Sequence, residues 1–334
     1  MKAFTLERYG DAGAVRDGEV SDPRVGDDDV LVQIHAASVN PLDLKTRDGD
    51  FQAILPYRVP FVLGNDLAGM VVGVGAGVTR FTVGDEVYAH PDKKRIGTFA
   101  ELIAIQQDDL ATKPTTLTME EAASIPLVGL TAWQALVERA NLQPGQKVLI
   151  HAGSGGVGTI AIQLAKQLGA SVATTTSKEN IDLVKDLGAD VVVDYKVQAF
   201  ETVLHDYDVV LDSLGGETLE KSLQVLRPGG KLISIAGPPD PAFAKELGAN
   251  PVISLAMAAL SLRTRQRARR HRVTYSFLFM RASGSQLRQL TPLIEAGKIR
   301  PVVDRVFAFE STRDALAYVE EGRARAGKVV VTMR

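Results

Sequence analysis

The chain contains no cysteine. That single absence removes disulfides, thiolate nucleophiles and every zinc site built on cysteine. Histidine is scarce as well: His35, His90, His151, His205 and His271 show no metal-ligand spacing and read as surface or strand-end residues, so no metal is expected. An excess of one charge is also lacking. Against 40 Asp and Glu stand 38 Lys and Arg, and the net −2 gives no general attraction to nucleic acid or to an anionic membrane. No uncharged apolar run is long enough to span a bilayer, and no apolar core follows Lys2 to mark a secretion signal. The expectation is a cytoplasmic protein without membrane contact.

What is present is length and apolar content. With 334 residues, 45% of them hydrophobic, the chain is too long for one ordinary core, so two domains are expected. The most informative stretch is Lys147-Val148-Leu149-Ile150-His151-Ala152-Gly153-Ser154-Gly155-Gly156-Val157-Gly158. A short apolar run meets a glycine cluster, and an amphipathic segment over 159–168 follows at once, which predicts strand, tight turn, helix. Gly153, Gly155 and Gly158 satisfy G-x-G-x-x-G: the first permits the turn, the second lets backbone approach a pyrophosphate, the third lets helix pack on strand. The helix N-terminus then faces the anion. Ser154, Gly156 and Val157 complete the loop.

Up to about residue 120 the chain reads as short strands separated by turns, with strands expected over 30–39, 67–75 and 86–89. Val39-Asn40-Pro41-Leu42-Asp43-Leu44-Lys45, then Leu63-Gly64-Asn65-Asp66-Leu67-Ala68-Gly69, then Val83-Gly84-Asp85-Glu86-Val87 precede the glycine loop in that order. With that loop they resemble the medium-chain dehydrogenase/reductase superfamily, and within it the zinc-free, zeta-crystallin-like quinone oxidoreductases. The resemblance runs essentially the full length. It implies an α/β fold: a Rossmann doubly wound parallel sheet plus a mainly β GroES-like catalytic domain. The implied domains are 1–121 (GroES-like, catalytic), 122–281 (Rossmann, NADP-binding) and 282–334 (return to the catalytic domain).

Where the zinc alcohol dehydrogenases carry a cysteine, a G-H-E histidine and a second cysteine, this chain has Asn40, Asn65 and an aliphatic residue near Leu127. Without a Lewis acid, an acceptor that welcomes hydride fits better than a simple alcohol. By resemblance, Asn40 lies beside the nicotinamide and the substrate carbonyl, and Asp43 organises the cleft. As residue types, Asn40-Pro41-Leu42-Asp43 is equally an ordinary helix start. Tyr57 is a third candidate that lines the cleft or donates a hydrogen bond, although packing between Pro56 and Pro60 explains it as well. Asn65 and Asp66 are expected to fix their loop.

Thr118-Met119-Glu120-Glu121 is a helix-opening signature. The following segment resembles the family's P-x-x-x-x-T-A junction, which implies that Thr131 approaches the nicotinamide, while Trp133, the only tryptophan, reads as core packing. The second strand, expected over 170–175, runs into Thr176-Ser177-Lys178-Glu179-Asn180. An NAD enzyme usually places a carboxylate there for the ribose hydroxyl. Hydroxyls, a lysine and an amide instead suit a 2′-phosphate, so Ser177, Lys178 and Asn180 are assigned to NADP, with Glu179 the dissenting residue. Tyr195, after the third strand, matches a family tyrosine near that phosphate. Ser213, Ala236 and Gly237 stand at the ends of the fourth and fifth strands and should line the cofactor.

Residues 263–272 are a run of arginines. It reads as a solvated loop or helix surface rather than a nucleic-acid site, because no aromatic residues interleave with it. Residues 273–280 are β-rich and expected as a sixth, edge strand; pairing with a twin would cover that edge, and a homodimer is expected. Phe277 and Phe279 alternate, so one face can reach the cleft. A helix over 285–297 ends at glycine, and strands over 299–307 and 327–331 return. Lys328 matches the family's terminal Gly-Lys pair, implying cofactor contact. The reading is an NADPH-dependent, zinc-independent reductase of small quinones or α,β-unsaturated carbonyls. Its rivals are an NADP-linked carbonyl or alcohol dehydrogenase and a non-catalytic NADPH-binding sensor.

Overall fold

Six strands form one sheet in the computed structural model, which describes residues 1–333. Their order across the sheet is Val191–Asp194, Ser171–Thr176, Lys147–Ile150, Tyr207–Asp212, Leu226–Ser234, Thr274–Phe277, and every neighbouring pair is parallel. Parallel strands covered on both faces need apolar residues at consecutive positions. Val148, Leu149 and Ile150 accordingly have no exposed surface. The strand order reverses direction at Lys147–Ile150, so its carboxyl end is the switch point of a doubly wound sheet, and the glycine loop sits there. This sheet belongs to a compact unit of residues 131–280.

The other unit comprises residues 1–130 and 281–334. Its larger sheet runs Val303–Ala308, Lys328–Thr332, Asp29–Val39, Asp66–Val74, Glu86–Ala89, Leu110–Thr112, with Leu102–Gln106 also paired to Asp29–Val39. Most of these pairs are antiparallel. Asp29–Val39 is the organising strand: it meets Leu102–Gln106 with its first half and Lys328–Thr332 with its second. Its register against Asp66–Val74 slips twice, and a side chain at Gly69 would strike the Gln33 carbonyl, so only glycine fits at that bend. Phe4, Leu6, Leu63, Leu67, Phe99 and Ile105 fill the core, with Phe309 edge-on to Phe4. Buried Arg47 makes a bidentate pair with Glu320, at 2.6 and 3.0 Å, tying helix Pro41–Asp48 to helix Thr312–Glu320.

Several elements differ from the sequence expectation. The first unit, which ends at Leu130, includes helix Met119–Ala123, packed on Asp29–Val39 and Asp66–Val74. Strand Thr274–Phe277 is the edge strand, but it is half as long as the β-rich run, since Leu278 to Met280 leave the ladder. The arginine run is helix Leu262–Arg270, preceded by helices Pro241–Glu246 and Pro251–Leu260 that hydrophobic periodicity did not announce.

Candidate active site and cofactor loop

In the first unit, strand Asp29–Val39 ends at Asn40, which caps helix Pro41–Asp48 in an extended conformation. The Asp43 carboxylate reaches back to accept the Asn40 backbone N–H at 2.7 Å, and its other oxygen accepts Asn65 Nδ2 at 2.6 Å. Asn40 Nδ2 donates to Asp66 Oδ2 (2.9 Å) and to the Ser38 carbonyl (3.2 Å), while its Oδ1 accepts from Lys328 Nζ. Lys328 also donates to the Val39 carbonyl at 3.1 Å and lies 3.4 Å from Asp66. Asp66 accepts Ser38 Oγ at 2.8 Å and the Leu127 N–H at 2.7 Å, and His90 Nδ1 stands 3.8 Å away. Asn40, Asp43, Asn65, Asp66, His90 and Lys328 are all buried.

Such a cluster survives without water only if its polar atoms are paired. Burial pushes the Asp43 carboxyl up to about 6, against the pull of its Asn65 and Asn40 donors and of Lys328. Burial acts on Asp66 in the same sense, yet the Lys328 charge, His90 and the Asn40 amide outweigh it and hold that carboxyl low. Burial lowers the Lys328 ammonium, opposed by Asp66 and Asp43. The Lys328 side chain, matched by resemblance to a cofactor contact, is thus spent on three acceptors inside its own unit. Tyr57 stands apart from this network. Its hydroxyl donates to the Lys93 carbonyl, and its ring packs on Phe61 at 4.7 Å.

In the second unit, the loop after Lys147–Ile150 turns at Ala152, whose φ of 51° is left-handed. Gly153 does not carry that turn. It is glycine because a Cβ would collide with Thr174, whose hydroxyl caps the Ile150 carbonyl at 2.6 Å. A Cβ at Gly158 would strike the Ala152 carbonyl and the Gly153 backbone, which is the close helix-to-loop packing expected of the third glycine. Gly155 is the N-cap of helix Gly156–Gln167 and brings no side-chain acceptor to its first-turn amides. Residues 154–157 are half-buried, so those amides are left for an anion. The loop therefore fits a dinucleotide pyrophosphate.

Around the end of Ser171–Thr176 stand the residues expected to choose the cofactor. Ser154 Oγ accepts from Thr176 Oγ1 at 3.0 Å and from Asn180 Nδ2 at 3.3 Å, so loop and strand end share one hydroxyl cluster. Ser177 caps a short 3-10 turn over Lys178–Asn180, and Lys178 is exposed. Glu179 is exposed and pairs with Lys196 at 3.7 Å. Tyr195 is 60% exposed on the next strand's exit. Ser213, Ala236 and Gly237 lie half-buried just past their strands, Ser213 bonded to the His151 carbonyl at 3.3 Å. Phe277 and Phe279 both pack on Phe243, with centroids at 5.0 and 5.9 Å. Thr131 is buried on helix Pro126–Trp133.

Sequence reasoning missed two features. His151 is fully buried: its ring nitrogens meet Thr175 Oγ1 (3.1 Å) and Ser222 Oγ (2.9 Å), and burial lowers it to about 4, a neutral pin joining strand and helix. The Asp66–Lys328 pair was the other, and its signal was a charge at the head of each of two apolar runs.

Residues 26–115 match the alcohol dehydrogenase GroES-like domain, and residues 187–331 the zinc-binding dehydrogenase domain. The chain is 36% identical to the NADPH-dependent alkenal/one oxidoreductase of Arabidopsis thaliana chloroplasts and to the 2-methylene-furan-3-one reductase of Solanum lycopersicum, covering 99% of this chain and 79% of each relative. Its fold superposes on the quinone oxidoreductase of Coxiella burnetii with a TM-score of 0.87, 31% identity and coverage of 100% and 99%. The chain belongs to the quinone oxidoreductase branch of the medium-chain dehydrogenase/reductase superfamily. It is an oxidoreductase with that family's α/β fold. The zinc in the second domain's description finds no ligand set: cysteine is absent, and among the described residues no three His, Asp or Glu side chains converge as metal ligands. Among the described residues, no helix is long and apolar enough to cross a membrane.

Proposed function

We propose that this chain is an NADPH-dependent, zinc-independent reductase of quinones or α,β-unsaturated carbonyls, working as a homodimer in the cytoplasm. The observation that carries the cofactor choice is the end of Ser171–Thr176. A strand that stops at Thr176, followed by Ser177, Lys178 and Asn180, offers a 2′-phosphate hydroxyls, an amide and a positive charge, while of the two carboxylates nearby Glu179 faces Lys196 and Asp194, beside Thr176, accepts the Lys196 N–H. The relatives named for alkenals, a furanone and a quinone support the acceptor class.

NADPH, when bound, supplies the hydride that an electron-poor carbon of the acceptor takes. The chain's part is binding and positioning. Gly153 to Gly158 give the pyrophosphate a close approach to helix amides, and Tyr195, Ser213, Ala236 and Gly237 line the strand ends where a dinucleotide lies in such sheets. Asn40 and Asp43 act through loop shape, because the Asn40 amide is bonded at both ends and Asp43 is wholly buried. The Tyr57 hydroxyl is already committed to Lys93, so water delivers the proton to the reduced acceptor. Replacing Lys178→Glu tests the cofactor assignment: the NADPH Kd should rise by about tenfold, as expected for a lost charge-assisted contact, with the NADH Kd nearly unchanged. Equal losses for both nucleotides would contradict it.

A further inference from the structure

Helix Pro251–Leu260 is built the wrong way round for a buried element. Val252, Leu255, Ala256, Ala259 and Leu260 recur at the spacing of one helical face, and that face is in solvent: Val252, Leu255 and Leu260 are 77, 73 and 66% exposed. Met257 is the one residue of this helix that is buried. After Ser261 the chain continues as helix Leu262–Arg270, and Arg265 braces the junction by donating to the Ala258 carbonyl at 2.9 Å and to Ser261 Oγ at 3.2 Å. At 100° per residue, Arg263 and Arg270 fall on the continuation of the apolar stripe. Arg263, Arg269, Arg270 and Arg272 are exposed.

Along this segment itself the charge is of one sign. From Leu247 to Ile294 there is no Asp or Glu, and there are eight arginines. The acids that meet the arginine helix come from helix Gly216–Val225, where Glu220 pairs with Arg267 and lies 3.9 Å from Arg263. Among the described residues Arg269, Arg270 and Arg272 form no ion pair with an acid, and a second copy of the segment from Leu247 to Ile294 would bring no carboxylate to them. Nucleic acid would use the arginines and leave the apolar stripe in water. One partner takes both: the headgroup boundary of an anionic bilayer, which accepts an apolar face beside a basic one. The net −2 of the chain does not oppose this, because salt screens charges beyond roughly 8–10 Å and leaves the local field to decide.

We propose that the face made by Val252, Leu255, Leu260, Leu262 and the exposed arginines of helix Leu262–Arg270 docks the protein on anionic phospholipid. This proposal departs from the sequence expectation of no membrane contact. It is peripheral docking, since neither helix can span a bilayer. The proposal is independent of the reductase reading.

Flotation of the full chain with phosphatidylcholine vesicles, with and without phosphatidylglycerol, tests it. The protein should float with the phosphatidylglycerol vesicles, stay behind with phosphatidylcholine alone, and be released by high salt. The triple variant Val252→Ser, Leu255→Ser, Leu260→Ser should lose vesicle binding at an unchanged melting temperature. The variant Arg263→Gln, Arg269→Gln, Arg270→Gln should lose it by roughly a hundredfold, at about fivefold per arginine. Failure of the wild-type protein to float with anionic vesicles overturns the proposal without any variant. So does wild-type flotation that both triple variants retain. A wild-type dimer that the serine variant splits, with no vesicle binding, would assign the face to a second copy. RNA binding that only the arginine variant abolishes, with no vesicle binding, would assign it to nucleic acid.

Discussion

Asp43 and His151 are buried titratable side chains that respond to pH in opposite senses. The Asp43 carboxyl is held near 6 in the fold against 3.8 in the open chain, so its contribution to stability is full below about pH 4 and declines as pH rises through 6. His151 is held near 4 against 6.5, so its contribution is full above about pH 6.5 and is lost as pH falls toward 4. Each shift corresponds to roughly 3 kcal/mol. Denaturant unfolding across about pH 4 to 7 should show Asp43→Asn gaining on the parent by roughly 2–3 kcal/mol as pH rises, and His151→Gln losing ground by a similar amount over the same window. Parallel profiles for parent and variants would contradict this. The sequence identified Asn40 and Asp43 because both sit in one short motif. It did not show that they share a buried cluster with Lys328, because that side chain arrives from a strand 288 positions away.

The elements were legible where local chemistry and tertiary packing agree. Lys147–Ile150, the glycine turn and helix Gly156–Gln167 follow from an apolar run, glycine spacing and an amphipathic period. Helices Pro241–Glu246 and Pro251–Leu260 were missed because the first, six residues long, is too short to show a period and the second is apolar at nearly every position, which blurs its stripe. Their signal was at the start: Asp240-Pro241 and Asn250-Pro251 each pair a capping side chain with proline in the first turn, and Asp240 and Asn250 accept the N–H groups of Phe243 and Ile253. The glycine loop itself supports a graded prediction. Gly158→Ala meets backbone atoms that cannot move independently and should cost roughly 2–4 kcal/mol together with nucleotide binding. Gly155→Ala places its Cβ 3.2 Å from one carbonyl and should cost about 1 kcal/mol or less. Equal melting temperatures for the two variants would refute the packing argument.

For the whole molecule, the resemblance foretold a doubly wound sheet and a separate, mainly β unit, because these follow from the order of motifs along the chain. The details that motif order does not contain are the ones that were not foreseen, above all the two helices between residues 241 and 260. The edge strand Thr274–Phe277 carries the assembly prediction: light scattering at micromolar concentration should return a dimer, and a monodisperse monomer would remove the argument that a twin covers that edge. The central claim is the reductase itself. Its most direct test is fluorescence titration with NADPH and with NADH, followed in the same cuvette by 9,10-phenanthrenequinone and then a simple enone. The account predicts tighter binding of NADPH than of NADH and NADPH oxidation that accelerates when the quinone or the enone is added. NADPH binding with no acceleration by either acceptor would contradict it and favour a nucleotide sensor.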